Sequence, residues 1–208
     1  MINVSIAGIS GQDGALAARI LAQAAEEKGW QVRVSESAYV AQRGVPEICH
    51  VCMGNDDEAV FSPLPAKGSV DVLIALEPGE ATRNLAFLKE KGLLVVASSG
   101  ILPANASFTR QVYDPKALLE DMKAAGVKMV VVDDAELVRR LGEPKALNVM
   151  MLAYAIIAVN KRPDCVENAL RGAISLEDID HAIPACVSGK AAATNEKAIK
   201  VVQQVARI

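Results

Sequence analysis

The strongest constraint on the fold is a repeated switch between two hydrophobic periods. Asn3 to Ala7 is a short β-favouring run ending at Gly8, and the turn Gly8-Ile9-Ser10-Gly11-Gln12-Asp13-Gly14 follows. After it, Leu16, Ile20, Leu21 and Ala24 recur at helical spacing, and Gly29 closes the helix. Gln31 to Val34 begins a second strand with Val32 and Val34 alternating, and Ile48 to Met53 reads as extended. Val70 to Leu76 and Leu93 to Ala97 are nearly continuous apolar runs, as expected of strands covered on both faces of a parallel sheet. Between them the spacing predicts a helix from about Gly79 to Lys91. A helix over Lys116–Ala125, a strand over Lys128–Val132 and a helix over Ala135–Leu141, capped by Asp133 or Asp134, continue the alternation. The remainder is helical: Lys145–Asn160, Asp164–Gly172, a short turn over Leu176–Ala182, and Lys190–Arg207. This order predicts an α/β fold, a three-layer Rossmann-like parallel sheet with a helical C-terminal part. The 208 residues form a single domain, 1–208.

Composition narrows the function classes. Aromatics are only 3% of the chain, so Ala, Val, Leu and Ile fill the core. The net charge is -3, and no basic stripe with interleaved aromatics is present, which argues against nucleic acid as a partner. The longest apolar run, Ala146 to Val159, falls short of the roughly 20 residues a membrane span requires. The N-terminus lacks the basic and apolar regions of a secretory signal, and the four cysteines do not make a disulfide framework, so a cytoplasmic protein with free thiols is expected.

Several positions carry candidate chemistry. A glycine-rich turn entering a helix offers free N–H groups and the positive end of the helix dipole. Here, however, Ser10 interrupts the dinucleotide fingerprint and Asp13 stands where a diphosphate would approach. Cys49-His50-Val51-Cys52 has a Cys-x-x-Cys spacing, but residues three apart on a strand face opposite sides, so the thiols are not placed to share a metal. The loop after the second strand contains Glu36 and Gln42-Arg43-Gly44, where Arg43 can hold a substrate carboxylate by two parallel hydrogen bonds. Glu77 precedes a helix at the end of a buried strand, and Glu80 and Arg83 are spaced to pair on that helix.

In order along the chain, these motifs resemble the gamma-type subunit or domain of the 2-oxoacid:acceptor oxidoreductases, and within them the smaller subunit of indolepyruvate ferredoxin oxidoreductase. The family pattern opens with Gly-x-Gly-Gly-Gln-Gly and an Ala-rich helix, matched by Gly8, Gly11, Gln12 and Ala17 to Ala22. A Glu-containing loop ending in Gln-Arg-Gly-Gly and Ser-His-Val is matched by Glu36, Gln42-Arg43-Gly44 and His50-Val51. Ser62-Pro63, Ala75 to Arg83, Asn148 and Asn195 to Ala198 match later positions. The resemblance implies oxidative decarboxylation of a 2-oxoacid to an acyl-CoA, with electrons passing to ferredoxin.

It further implies that this chain binds no cofactor alone. Thiamine diphosphate, Mg²⁺ and iron–sulfur clusters would sit on partner subunits, and CoA would be the co-substrate. The implied partners are a thiamine-binding large subunit and ferredoxin, in a homo- or hetero-oligomer. By the same resemblance, Arg43 and Glu36 are catalytic, Gly8, Gly11 and Gln12 face a cofactor, and Glu77, Arg83, Asn148 and Asn195 are interface or structural positions. The chain departs from the pattern at Ser10, Asp13, Tyr39, Val45-Pro46, Cys49 and Cys52. Side chains at glycine positions oppose positive φ, so a different loop backbone is expected there. A diverged, non-catalytic assembly paralogue is the alternative.

Overall fold

A computed structural model of the chain describes residues 1–37, 45–55, 58–101, 113–162 and 171–206. The elements, in order, are β1 (Ile2–Ile9), α1 (Gly14–Glu27), β2 (Gln31–Glu36), β3 (Pro46–Gly54), β4 (Val70–Ala75), α2 (Pro78–Asn84) and β5 (Leu88–Ala97). They continue with α3 (Pro115–Ala124), β6 (Met129–Val132), α4 (Asp134–Leu141), α5 (Leu147–Lys161), α6 (Leu176–Cys186) and α7 (Gly189–Val205). Short 3-10 turns occupy Leu85–Phe87 and Pro144–Ala146.

The six strands form one sheet in the order β2-β3-β1-β4-β5-β6. The α/β class and the helical C-terminal part are as the periodicity predicts, but the sheet is mixed. β1, β4, β5 and β6 are parallel, whereas β3 runs antiparallel to both β1 and β2. A parallel pairing of consecutive strands needs a crossover of a dozen or more residues, and only nine separate β2 from β3. β3 is therefore free to return alongside β2 and insert next to β1.

Two cores flank the sheet, giving three layers. On one face Ile6, Ile74 and Val95 pack with Leu16, Ile20 and Leu21 of α1, with Met150 and Leu152 of α5, and with Ile183 and Ile199 of α6 and α7. On the other, Leu73, Ala75, Leu94 and Val96 pack with Ala81 of α2 and Met122 of α3. The residue that interrupts the apolar run of β4 is also explained. Asp71 is buried, accepts from the Asn3 backbone N–H at 2.8 Å, and pairs with the Lys89 ammonium at 2.5 Å. A buried carboxylate is tolerated when it is paired in this way.

The helix expected from Gly79 to Lys91 is corrected. It stops at Asn84, and Lys89, Glu90 and Lys91 belong to β5. The β4–β5 register jumps from Val70↔Leu88 to Val72↔Leu93, so the charged residues form an irregularity at the start of a strand. The turn expected over Leu176–Ala182 is a full helix to Cys186, started by a capping box of Ser175 and Asp178. Most of the helix expected over Asp164–Gly172 lies outside the described residues. Among the described residues, no helix is long and apolar enough to cross a membrane.

Candidate functional site

The helix that follows β1 covers one face of the sheet and the helix that follows β4 covers the other. Between the carboxyl ends of these two neighbouring strands the connections diverge, which is where open α/β sheets place their ligand crevices. The turn from Gly8 to Asp13 lies there, and its backbone is set by few groups. The Gln12 amide bridges the two strands: Oε1 accepts from the Ile9 N–H and Nε2 donates to the Leu76 carbonyl, both at 2.8 Å. Gly8 makes room for it, because a Cβ there would stand 2.9 Å from Gln12 Oε1 and 3.1 Å from Leu76 Cδ1. Gly11 is needed for another reason, its φ of 106°.

Asp13 departs from the expectation attached to its non-glycine side chain. It adopts the left-handed conformation, with φ 55° and ψ 47°, and is the N-cap of α1. Asp is among the few residues that tolerate this region, and its carboxylate accepts from the Leu16 N–H at 3.3 Å. The carboxylate thus occupies the helix end that a diphosphate would use. The Asp13 carbonyl accepts from Asn148 Nδ2 at 2.6 Å, which ties the turn to α5.

Acids gather on the adjoining rim. Glu36 ends β2 opposite Cys49 of β3, and Glu47 lies two residues before Cys49. Burial pushes the Glu47 carboxyl above its usual range, and the negative charges of Glu36 and Asp13 push it further. The Cys49 thiol is driven up to about 12 by burial and then by Glu36, Glu47 and Asp13, so it is protonated and inert at neutral pH. Arg43, with Gln42 and Gly44, lies outside the described residues. Cys52 donates to the Pro63 carbonyl at 3.6 Å while Cys49 packs in the α1-side core, so the two thiols face apart. His50 is buried, bonded through Nδ1 to Ser5 Oγ at 2.7 Å and tilted against Phe87, and burial lowers its pKa. That is a satisfied core histidine.

The acidic rim has a measurable consequence. Glu47 holds its proton more tightly in the folded chain, so its stabilising effect is complete below the ordinary value of 4.5 and is lost as pH rises through the raised folded value. Glu47→Gln removes that loss. At pH 7 it is expected to raise the thermal midpoint by about 1–2 °C, with no gain at pH 4. A gain that is the same at both pH values would show that Glu47 is not under this strain.

On the other side of the crevice, Glu77 follows β4 and caps α2. Its Oε2 accepts from the Glu80 N–H at 2.9 Å, while Oε1 is buried with no hydrogen-bond partner among the described residues. Glu80 pairs with Arg83, as the spacing predicts, and burial together with the Glu77 charge raises the Glu80 carboxyl more than Arg83 lowers it. The N–H of Gly79 donates to the Tyr113 hydroxyl at 3.2 Å.

Thus the structure brings Gly8, Gly11, Gln12 and Asp13 into one turn, ties Asn148 of α5 to it, and places Glu36 on its rim. Glu77 is at the head of α2 and Arg83 in its last turn, and Asn195 is on α7. Sequence reasoning did not single out Glu47 or the Lys145 and Lys190 side chains that reach the same end of the molecule, since no local pattern marks them. Among the described residues, no three His, Cys, Asp or Glu side chains are grouped as metal ligands.

A family profile described as pyruvate ferredoxin/flavodoxin oxidoreductase matches residues 3–206. The chain belongs to that family. Within it, the chain is similar to the indolepyruvate oxidoreductase subunit IorB of Thermococcus kodakarensis, 31% identical over 72% of this chain and 74% of the relative. The IorB subunit of Archaeoglobus fulgidus is 27% identical over 86% and 89%. The same fold is found in the gamma subunit of a keto/oxoacid ferredoxin oxidoreductase from Geobacter sulfurreducens, with a TM-score of 0.64, 20% identity and coverage of 98% and 97%. It is also found in the pyruvate oxidoreductase subunit PORC from Thermotoga maritima, with a TM-score of 0.64, 22% identity and coverage of 98% and 95%.

Proposed function

We propose that this chain is the smaller subunit of a 2-oxoacid:ferredoxin oxidoreductase of the indolepyruvate or aryl-pyruvate type, and that it is inactive alone. The observation that carries the reading is the match, over 86% and 72% of the chain, to two relatives named indolepyruvate oxidoreductase subunits. In this reading a thiamine-binding large subunit brings thiamine diphosphate and Mg²⁺, iron–sulfur clusters also sit on partner chains, and ferredoxin takes the electrons. Bound thiamine diphosphate supplies the carbanion chemistry of decarboxylation, with CoA accepting the acyl group. The donor set of this chain supports the division of labour: Cys49 and Cys52 face apart, and the Cys49 thiol does not ionise at neutral pH. The complex is cytoplasmic in this reading, in keeping with free cysteines at 49, 52 and 186.

The roles proposed for this chain are local. Arg43 holds the substrate carboxylate, Glu36 of the acidic rim is the second catalytic residue, and the Gly8-Gly11-Gln12 turn presents its backbone to a cofactor-bearing partner. Glu77, Arg83, Asn148 and Asn195 serve as interface or structural positions. Asp13 favours this reading over a non-catalytic paralogue, because it keeps the left-handed turn and therefore does not break it.

Co-expression with the genes beside it should yield a hetero-oligomer that reduces ferredoxin or a viologen dye with an aryl 2-oxoacid, thiamine diphosphate and CoA. In that complex Arg43→Ala is expected to lower kcat/KM by about 100-fold, with no change in subunit stability. Activity of the isolated chain, or a lone homodimer that recruits no thiamine-binding partner, overturns the proposal. Unchanged kinetics in Arg43→Ala remove that residue from the site.

A further inference from the structure

Beside the first turn, and outside the acidic rim, a cleft of about 430 Å³ opens between Asp13, the 3-10 turn carrying Glu143 and Lys145, and the start of α7 with Lys190, Thr194 and Asn195. Its polar groups are unevenly used. Asn195 lines the cleft, is only 5% exposed, and its side chain makes no hydrogen bond among the described residues. The Asn195 amide atoms are not enclosed and so open onto the cleft, in contrast with Asn148, whose side chain is also buried but has Nδ2 and Oδ1 both engaged. Ser188, the N-cap of α7, places no side-chain oxygen on the first-turn N–H groups. Lys145 and Lys190 are exposed at the rim and form no ion pair among the described residues.

The acceptors, by contrast, are committed. The Asp13 carboxylate accepts from the Leu16 N–H, Glu143 accepts from the Lys145 N–H, both at 3.3 Å, and the Thr194 hydroxyl donates to the Lys190 carbonyl at 2.9 Å. The formal charges of the two lysines and two acids cancel. The positive end of the α7 dipole and the idle donors tip the cleft toward an anion.

We infer that this cleft binds a small oxyanion, a carboxylate or a phosphate, with the Asn195 amide donating from within and Lys145 and Lys190 closing the mouth. The site uses this chain alone and stands whether or not the proposed partners are the right ones. The test is a titration of the ¹⁵N-labelled full chain with inorganic phosphate and, separately, with acetate, against sodium chloride at equal ionic strength. The Asn195 side-chain amide and the backbone amides of Lys190 and Ala191 are expected to shift saturably, with a dissociation constant of ~1 mM. Lys145→Ala and Lys190→Ala, both at exposed positions, should each weaken binding ~10-fold while resonances elsewhere stay in place. Asn195→Asp should abolish it. Saturation with phosphate alone assigns a phosphoryl ligand, with acetate alone a carboxylate, and with both either oxyanion. Absence of saturation with either anion overturns the inference, as does saturation that is unchanged in Lys190→Ala.

Discussion

Asn148→Asp is expected to cost about 3–5 kcal/mol of folding stability at pH 7, although the two side chains differ by one group. Asn148 is fully buried, and its Nδ2 donates to the Asp13 carbonyl at 2.6 Å. In the variant an oxygen replaces that donor, so a buried carboxylate faces a carbonyl with no cation to pair it. The folded state resists ionisation, which raises the carboxyl above its unfolded value of about 3.9. The penalty is therefore absent in acid and grows as pH rises through the raised value. Urea unfolding of the variant against the parent chain at pH 7 and pH 4 separates this from simple loss of packing. Asn148→Ala, which loses two hydrogen bonds and leaves a small void, should cost about 2–3 kcal/mol at both pH values. A loss under about 1 kcal/mol for the Asp variant would mean that Asn148 does not anchor the turn as the geometry requires.

The second large effect is expected at Gly54, the last residue of β3. Its backbone does not lie in the left-handed region, so an alanine could adopt it; the obstacle is space. A Cβ would meet the Glu58 carbonyl oxygen, and Val60 Cγ2 would be 3.1 Å away. Both belong to the segment that folds back on the sheet edge, where the Val60 N–H donates to Gln31 Oε1 at 3.3 Å. Because the nearest atom is backbone, it cannot rotate away. Gly54→Ala should cost about 3 kcal/mol and release residues 58–60 from β2. Hydrogen exchange at Val60 and a denaturant midpoint measure the two parts. If Val60 stays protected and the midpoint does not move, β3 is not packed against this segment as described.

Much of this protein was written locally. The alternation of periods 2 and 3.6 determined the α/β class, and the glycines at 29, 126 and 142 end helices with positive φ, as single residues can. Glu80–Arg83 pairing and the Asp133 cap are also local, spanning three residues each. The direction of β3 was not legible, because a run of extended residues looks the same in either direction and only its partners fix it. Likewise Lys89 to Lys91 read as the end of a helix because Asp71, the buried acid that holds Lys89 in the sheet, lies 18 residues earlier.

The site divides along the same line. The sequence alone determined that Gly8, Gly11 and Gln12 make a turn at the mouth of a helix, and its ordered motifs pointed to the family. Only the tertiary structure decided what that turn holds. It brings the Leu76 carbonyl to Gln12, Asn148 to Asp13 across 135 residues, and Glu47 and Glu36 to one rim. It also opens the Asn195 amide, unbonded among the described residues, onto the cleft that Lys145 and Lys190 line. Hydrogen bonds and charges act over a few ångströms of space, and spacing along the chain carries no record of which distant groups folding will bring that close.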